Sequence, residues 1–242
     1  MEVRLSVSIS APFRYARWRH ALGLVLALLL IFSFGLVHGE WSDMHRWNRA
    51  TADASFVLLT TTMGIGPIAQ LWPQLRFLVP FRRELGIYAV VLAALHTAII
   101  LGGWVTWDLV RLFGFEFHPS LGRDFMVQHG FGLANAVGVL ALIYGLTLAL
   151  TSSDRLVRFL GGPVWKFVQR ASYVLWALVV VHTGYFLFLQ FLDYHRQTPV
   201  PNPLQPWYLV LISLVLALRI VASLHLWNSV RKQAVGRRAK PT

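Results

Sequence analysis

Residues 86–100 read GIYAVVLAALHTAII, almost pure hydrocarbon with His96 near the middle. Residues 174–188, VLWALVVVHTGYFLF, repeat the device with His182, and in both runs the histidine is followed by threonine. Neither run contains a charged residue or a proline. A helix on a soluble core shows one apolar stripe and one polar face. These runs are apolar on every side, so each reads as a helix that crosses a bilayer.

Working outward, the same pattern recurs until six helices are expected, at roughly 21–38, 54–72, 85–107, 129–150, 171–192 and 207–227. Each is close to the roughly 20 residues that cover the hydrocarbon. Helix is the only sensible assignment, because open strands would leave backbone groups unpaired in lipid. Composition agrees: the 242 residues are 56% hydrophobic and only 13% charged, where a soluble domain carries about 25% charged residues. The expected fold is an all-α integral membrane protein, a six-transmembrane-helix bundle forming a single membrane domain over residues 1–242. The first block follows Arg14, Arg17 and Arg19 and is read as a retained helix, since its apolar core exceeds the about 7–15 residues of a signal peptide. The connection Thr106 to Gln128 is expected to hold at most a short amphipathic turn, and Gly161-Gly162-Pro163 marks a break before the fifth helix.

Charge orients the bundle. The chain has 22 Lys and Arg against 10 Asp and Glu, a net charge of +12. With the N-terminus in the cytoplasm, 16 of the basic residues fall on the inner side and five on the outer side, with Arg219 inside a span. That bias places both termini in the cytoplasm. Tryptophans cluster near helix ends, where indole prefers the interface, Trp176 excepted. The basic residues flank apolar blocks and form no basic–aromatic platform, so the expected contact is membrane lipid, with no nucleic acid. There is no cysteine, which excludes disulfides, thiolate zinc sites, iron–sulfur clusters and covalently attached haem. No Asp or Glu falls within the six expected spans, which argues against a carboxylate proton relay. No P-loop, G-x-S-x-G or H-E-x-x-H pattern occurs.

The two histidines share a depth. His96 lies 13 residues after Arg83 and His182 lies 13 residues after Gln169, about 20 Å into the membrane in each case. Their helices run in the same direction, so two imidazoles can approach one metal from opposite sides. The bland alternative is that each is a neutral imidazole bonded to a neighbouring backbone. Imidazole suits zinc, copper and haem iron. Zinc would want further ligands, whereas haem needs two axial ligands, apolar walls and room. Ala93, Ala94, Gly130, Gly132, Gly138 and Gly184 offer room, although small residues also simply let helices touch. Each histidine is expected to donate its second ring N–H to a carbonyl or hydroxyl, with Thr97 and Thr183 the nearby hydroxyls.

Four stretches, FRRELGIYAVVLAALHTAI around His96, LALTSS, GPVWKFVQRASYVLWALVVVH leading to His182, and LVLALRI around Arg219, resemble the ferric-reductase-like transmembrane family. They look most like its bacterial branch that contains the haem-binding membrane subunit of the periplasmic methionine-sulfoxide reductase system. The resemblance runs from about Ala54 to Ile220. It implies six helices in the bacterial inner membrane around haem b, with His96 and His182 as axial ligands. It further implies an electron-transfer subunit rather than a complete enzyme. A cytosolic flavin reductase or the quinone pool would be the donor, and a periplasmic protein the acceptor. The family often has a further histidine at the position of Gln169, so one haem is expected here. The cytoplasmic half would then use another carrier, FMN or quinone. Arg219, with Gln169 and Arg170, marks that inner site, where Arg219 would hold a flavin phosphate, a quinone oxygen or a haem propionate, or else snorkel to the headgroups. His129 reads as an interfacial residue. The competing readings are a cofactor-free membrane scaffold or solute carrier, and a quinone-linked ferric reductase.

Overall fold

The structure, a computed structural model, describes residues 11–126, 129–190 and 202–238. Among these residues six helices are long and apolar enough to cross a membrane. The elements in order are α1 (Ala11–Val37), α2 (Asp43–Leu71), a 3-10 turn (Pro73–Leu78), α3 (Phe81–Ile99), α4 (Leu109–Leu112), β1 (Phe115–His118), β2 (Arg123–Met126), α5 (His129–Thr151), α6 (Asp154–Leu160), α7 (Gly162–Gln169), α8 (Ser172–Gly184) and α9 (Gln205–Arg238). The ends of the bundle are called here the hairpin end, after β1 and β2, and the arginine end, after Arg82 and Arg83.

Helix α2 runs through the middle. It packs against α1, α3, α8 and α9, while α5 packs against α8 and α3. Its central residues Ala50, Ala54, Leu58 and Met63 have no exposed surface. Lipid tails are as apolar as these side chains, so close packing and buried hydrogen bonds, rather than water exclusion, hold the helices together. One such bond runs from Ser55 Oγ to the Ala89 carbonyl of α3, at 2.8 Å.

The helix starts differ from the sequence expectation in an informative way. Helix α2 begins at Asp43, well before the expected residue 54. Its polar first turns are helical because one side of them is covered by the rest of the bundle. The early start carries Asp53 inside, where its Oδ2 meets Nε2 of His38 at 2.6 Å. Likewise Glu84, in the first turn of α3, is 1% exposed and accepts a bond from Nε of Arg19 at 3.0 Å. The expectation that no carboxylate lies within a span is therefore corrected: two are buried in the helices, each beside a basic partner.

Connections differ too. The segment after α3 holds a hydrogen-bonded hairpin, Phe115 opposite Met126 and His118 opposite Arg123. The stretch 154–169 folds as two short helices, α6 and α7. Ser153 Oγ caps α6 by accepting from Leu156 N. Gly161 separates the two helices with φ +74°, a left-handed conformation that a residue with a Cβ resists, and Pro163 lies in the first turn of α7. The end of the fifth expected helix, 191–192, lies outside the described residues.

Candidate haem site

Helices α3 and α8 each change winding just beyond their histidine. Residues Ile100–Trp104 after His96 and Tyr185–Leu189 after His182 are π-helical. Where the winding changes, one N–H is shared between two carbonyls: Ile100 N–H donates to both His96 and Thr97, and Tyr185 N–H to both His182 and Val181. Such single-turn π segments often accompany functional sites, and the sequence carries no local signal for them.

The imidazoles of His96 and His182 are neighbours, ring centroids 6.4 Å apart and ring planes at 79°. Each Nδ1 is taken by a backbone carbonyl of the opposing helix layer. His96 Nδ1 lies 3.1 Å from the Asn48 oxygen on α2, and His182 Nδ1 lies 2.8 Å from the Ala134 oxygen on α5. A carbonyl only accepts, so both Nδ1 atoms carry the hydrogen and both Nε2 atoms keep a free lone pair. The hydroxyls offered by the sequence are not these partners: Thr97 Oγ1 donates to Ala93 in its own helix, and Thr183 lines the cleft.

A local rule makes these carbonyls reachable. On α5 the acceptor Ala134 is followed four residues later by Gly138. A Cβ at Gly138 would come within 2.5 Å of Cε1 and 2.6 Å of Nδ1 of His182, so only glycine lets the ring lie there. On α2 the acceptor Asn48 is followed four residues later by Ala52, which lines the same cleft. Residues four apart share a helix face. Each acceptor carbonyl is thus followed one turn on by a small residue that lines the cleft.

The cleft between α2, α3, α5 and α8 is half open, and the free space in and in front of it comes to about 900 Å³. Its walls are mostly Ala, Gly, Val and Leu, with Ser55, Thr97, Asn135 and Thr183 as the polar exceptions. Asn135 Nδ2 donates to the Leu112 carbonyl at 2.7 Å, fixing α4 over the hairpin end of the cleft, and Leu112 contributes to the lining.

These residues fit haem. Two bonds from imidazole nitrogen to a first-row metal, about 2 Å each, plus about 1.2 Å from each nitrogen to its ring centre, sum to about 6.4 Å, the separation found here. Among the described residues no group of three or more His, Asp or Glu gathers to hold a metal alone, and the two imidazoles would suit an iron whose other ligands come from a macrocycle.

The other sequence candidates lie elsewhere. Gln169 closes α7, and its amide N–H group reaches Leu148 O, Thr151 Oγ1 and Ser152 Oγ at 3.2–3.4 Å. Arg170 is exposed. The Arg219 guanidinium lies over the Tyr173 ring, 4.0 Å from its centroid, with Nε buried and unpartnered. Neither Gln169 nor Arg219 lines the cleft. His129 opens α5.

Comparison with known proteins adds a family. The family model for the ferric reductase like transmembrane component matches residues 50–180. The chain belongs to this family. The match covers most of α2, all of α3 and α5 and most of α8. It includes His96 and stops two residues short of His182. Together with six apolar helices, membership makes the chain a multi-pass membrane protein. Similar curated proteins include the haem-binding subunit MsrQ of protein-methionine-sulfoxide reductase from Herminiimonas arsenicoxydans, 31% identical over 55% of this chain and 55% of that one. The MsrQ subunit of Azospira oryzae is 29% identical over 64% of this chain and 63% of that one. The magnetosome protein MamZ of Magnetospirillum gryphiswaldense is 25% identical over 70% of this chain but only 25% of its own length. The chain thus spans about a quarter of the magnetosome protein and somewhat over half of each MsrQ subunit.

Proposed function

We propose that this ferric reductase-like chain is a haem b-binding membrane electron-transfer subunit with His96 and His182 as axial ligands. The observation that carries the reading is the neighbouring imidazole pair with both Nδ1 atoms anchored. Two rings held in one tautomer, with centroids at the separation a shared iron needs, would bind it in either oxidation state with little rearrangement. When bound, haem supplies a one-electron iron couple. The absence of cysteine excludes thioether attachment, which supports a non-covalent haem such as haem b.

The charge bias supports an orientation with the hairpin end in the periplasm and both termini in the cytoplasm of a bacterial inner membrane. The acceptor is then a periplasmic oxidoreductase of the methionine-sulfoxide-reductase type, as the MsrQ names suggest. The donor is a cytosolic flavin reductase or the quinone pool. One haem is held per chain, and FMN or quinone serves the arginine half. Arg219 supports that last reading, because its stacked guanidinium has a buried donor free for an anionic oxygen.

Detergent-purified protein should show a Soret band that shifts on dithionite reduction and a pyridine haemochrome of the b type. His96→Ala and His182→Ala should each lose most of that absorbance while still accumulating in the membrane. Retention of full absorbance by both variants would refute the ligand assignment, and a colourless wild type would return the chain to the scaffold or carrier reading. The family's own description favours Fe(III) reduction as the second reading. Reduction of a membrane-impermeant ferric chelate by inverted and right-side-out vesicles separates the two acceptors. The chain has no native cysteine, so Leu121→Cys and Arg155→Cys give a clean test of orientation. An impermeant maleimide should label the first from the periplasm and the second only after lysis.

A further inference from the structure

The two imidazoles are anchored alike, yet their acceptors are not equivalent. The Ala134 carbonyl that receives His182 has no hydroxyl bonded to it among the described contacts. The Asn48 carbonyl that receives His96 does. Thr51, 2% exposed within α2, places its Oγ1 3.0 Å from the Asn48 oxygen and 2.8 Å from the Trp47 oxygen. A threonine hydroxyl has one hydrogen to give. It is shared between ordinary back-bonding to Trp47 and the carbonyl that holds His96.

We propose that Thr51 is a positioning residue that sets the strength of the His96 ligand through the Asn48 carbonyl. The inference rests on the proposed haem ligation. When the hydroxyl hydrogen points at Asn48 O, that oxygen is already engaged, and it draws less on the His96 Nδ1–H. The ring then keeps less imidazolate character and is a weaker donor to iron. A weaker donor favours the ferrous over the ferric form, which raises the midpoint potential. Both carbonyls also accept the helical N–H four residues on, so the added hydroxyl is the difference, and the distances follow it: the His96 bond is 3.1 Å and the His182 bond is 2.8 Å. The asymmetry gives one ligand a fixed donor strength and the other an adjustable one, with the adjustment made at a residue that touches neither iron nor ring.

Thr51→Val removes the hydroxyl and keeps the shape, and Thr51→Ser keeps the hydroxyl. Redox titration of the purified haem protein should give a lower midpoint potential for Thr51→Val than for wild type, at equal haem content, and a wild-type value for Thr51→Ser. If Thr51→Val does not accumulate, Thr51→Ala removes the same hydroxyl and should shift the potential in the same direction. An unchanged potential in the variant lacking the hydroxyl would show that it serves only Trp47 and would overturn the inference while the haem reading stands. An equal shift in Thr51→Ser would assign the effect to packing and overturn it as well. A wild-type protein without haem would overturn the proposed function and this inference together.

Discussion

The hairpin half and the arginine half of this bundle use α3 and the consecutive helices α7 and α8 in different ways. Near the hairpin end α3 and α8 bring His96 and His182 together in a cleft walled by small residues. At the arginine end the positions 13 residues earlier are Arg83 and Gln169, and both are committed to neighbours. Arg83 is drawn to Asp154 of α6 by an ion pair of 2.7 Å. Gln169 ties the end of α7 to the last turn of α5. Equal spacing therefore does not by itself bring two side chains together. At the hairpin end each imidazole is held by a backbone carbonyl, whereas at the arginine end both side chains have partners of their own.

This contrast can be broken at its tightest point. Gly138→Leu places a side chain where the His182 ring lies. It should weaken haem retention by roughly 10- to 100-fold, the range seen when a ligand loses its orienting surroundings. Haem titration of the purified variant measures this, and wild-type affinity would mean that the ring is not held as described. A smaller effect is expected away from the cleft. His38→Ala leaves the Asp53 carboxyl buried without its partner and should cost on the order of 3 kcal/mol, read as a lower melting temperature with the haem spectrum unchanged. A spectral change would place that pair in the site. The smallest effect sharpens the comparison from the other side. Gln169→His restores an imidazole at the arginine end, but Arg83 is still opposite in sequence register, so haem per chain should stay at one. Loss of the amide bonds should cost about 1 kcal/mol. A second haem in this variant would show that the inner half lacked only the ligand.

Much of this was legible in the sequence, and the missing parts share a cause. Long blocks without charge located all six helices, because an unbroken apolar block in lipid satisfies its own backbone groups only as a helix. Matched depth singled out His96 and His182 with no knowledge of packing. The polar start of α2 was missed because Asp43 to Asp53 looks like a loop when read by hydropathy, and only the surrounding helices make it a buried turn. That omission hid the His38–Asp53 pair. The π segments and the acceptors at Asn48 and Ala134 were invisible for a different reason: they are backbone features, and a carbonyl has no residue identity. The nearest trace is a small residue four positions after each acceptor, Ala52 and Gly138, too common in membrane helices to single out alone.

The most direct test of the central claim is low-temperature electron paramagnetic resonance of the oxidised, purified protein. Two imidazoles on one iron, with ring planes near the 79° found here, predict a low-spin ferric signal of strong anisotropy with a single prominent low-field feature. A high-spin axial signal, which marks an iron with one protein ligand, would contradict the account.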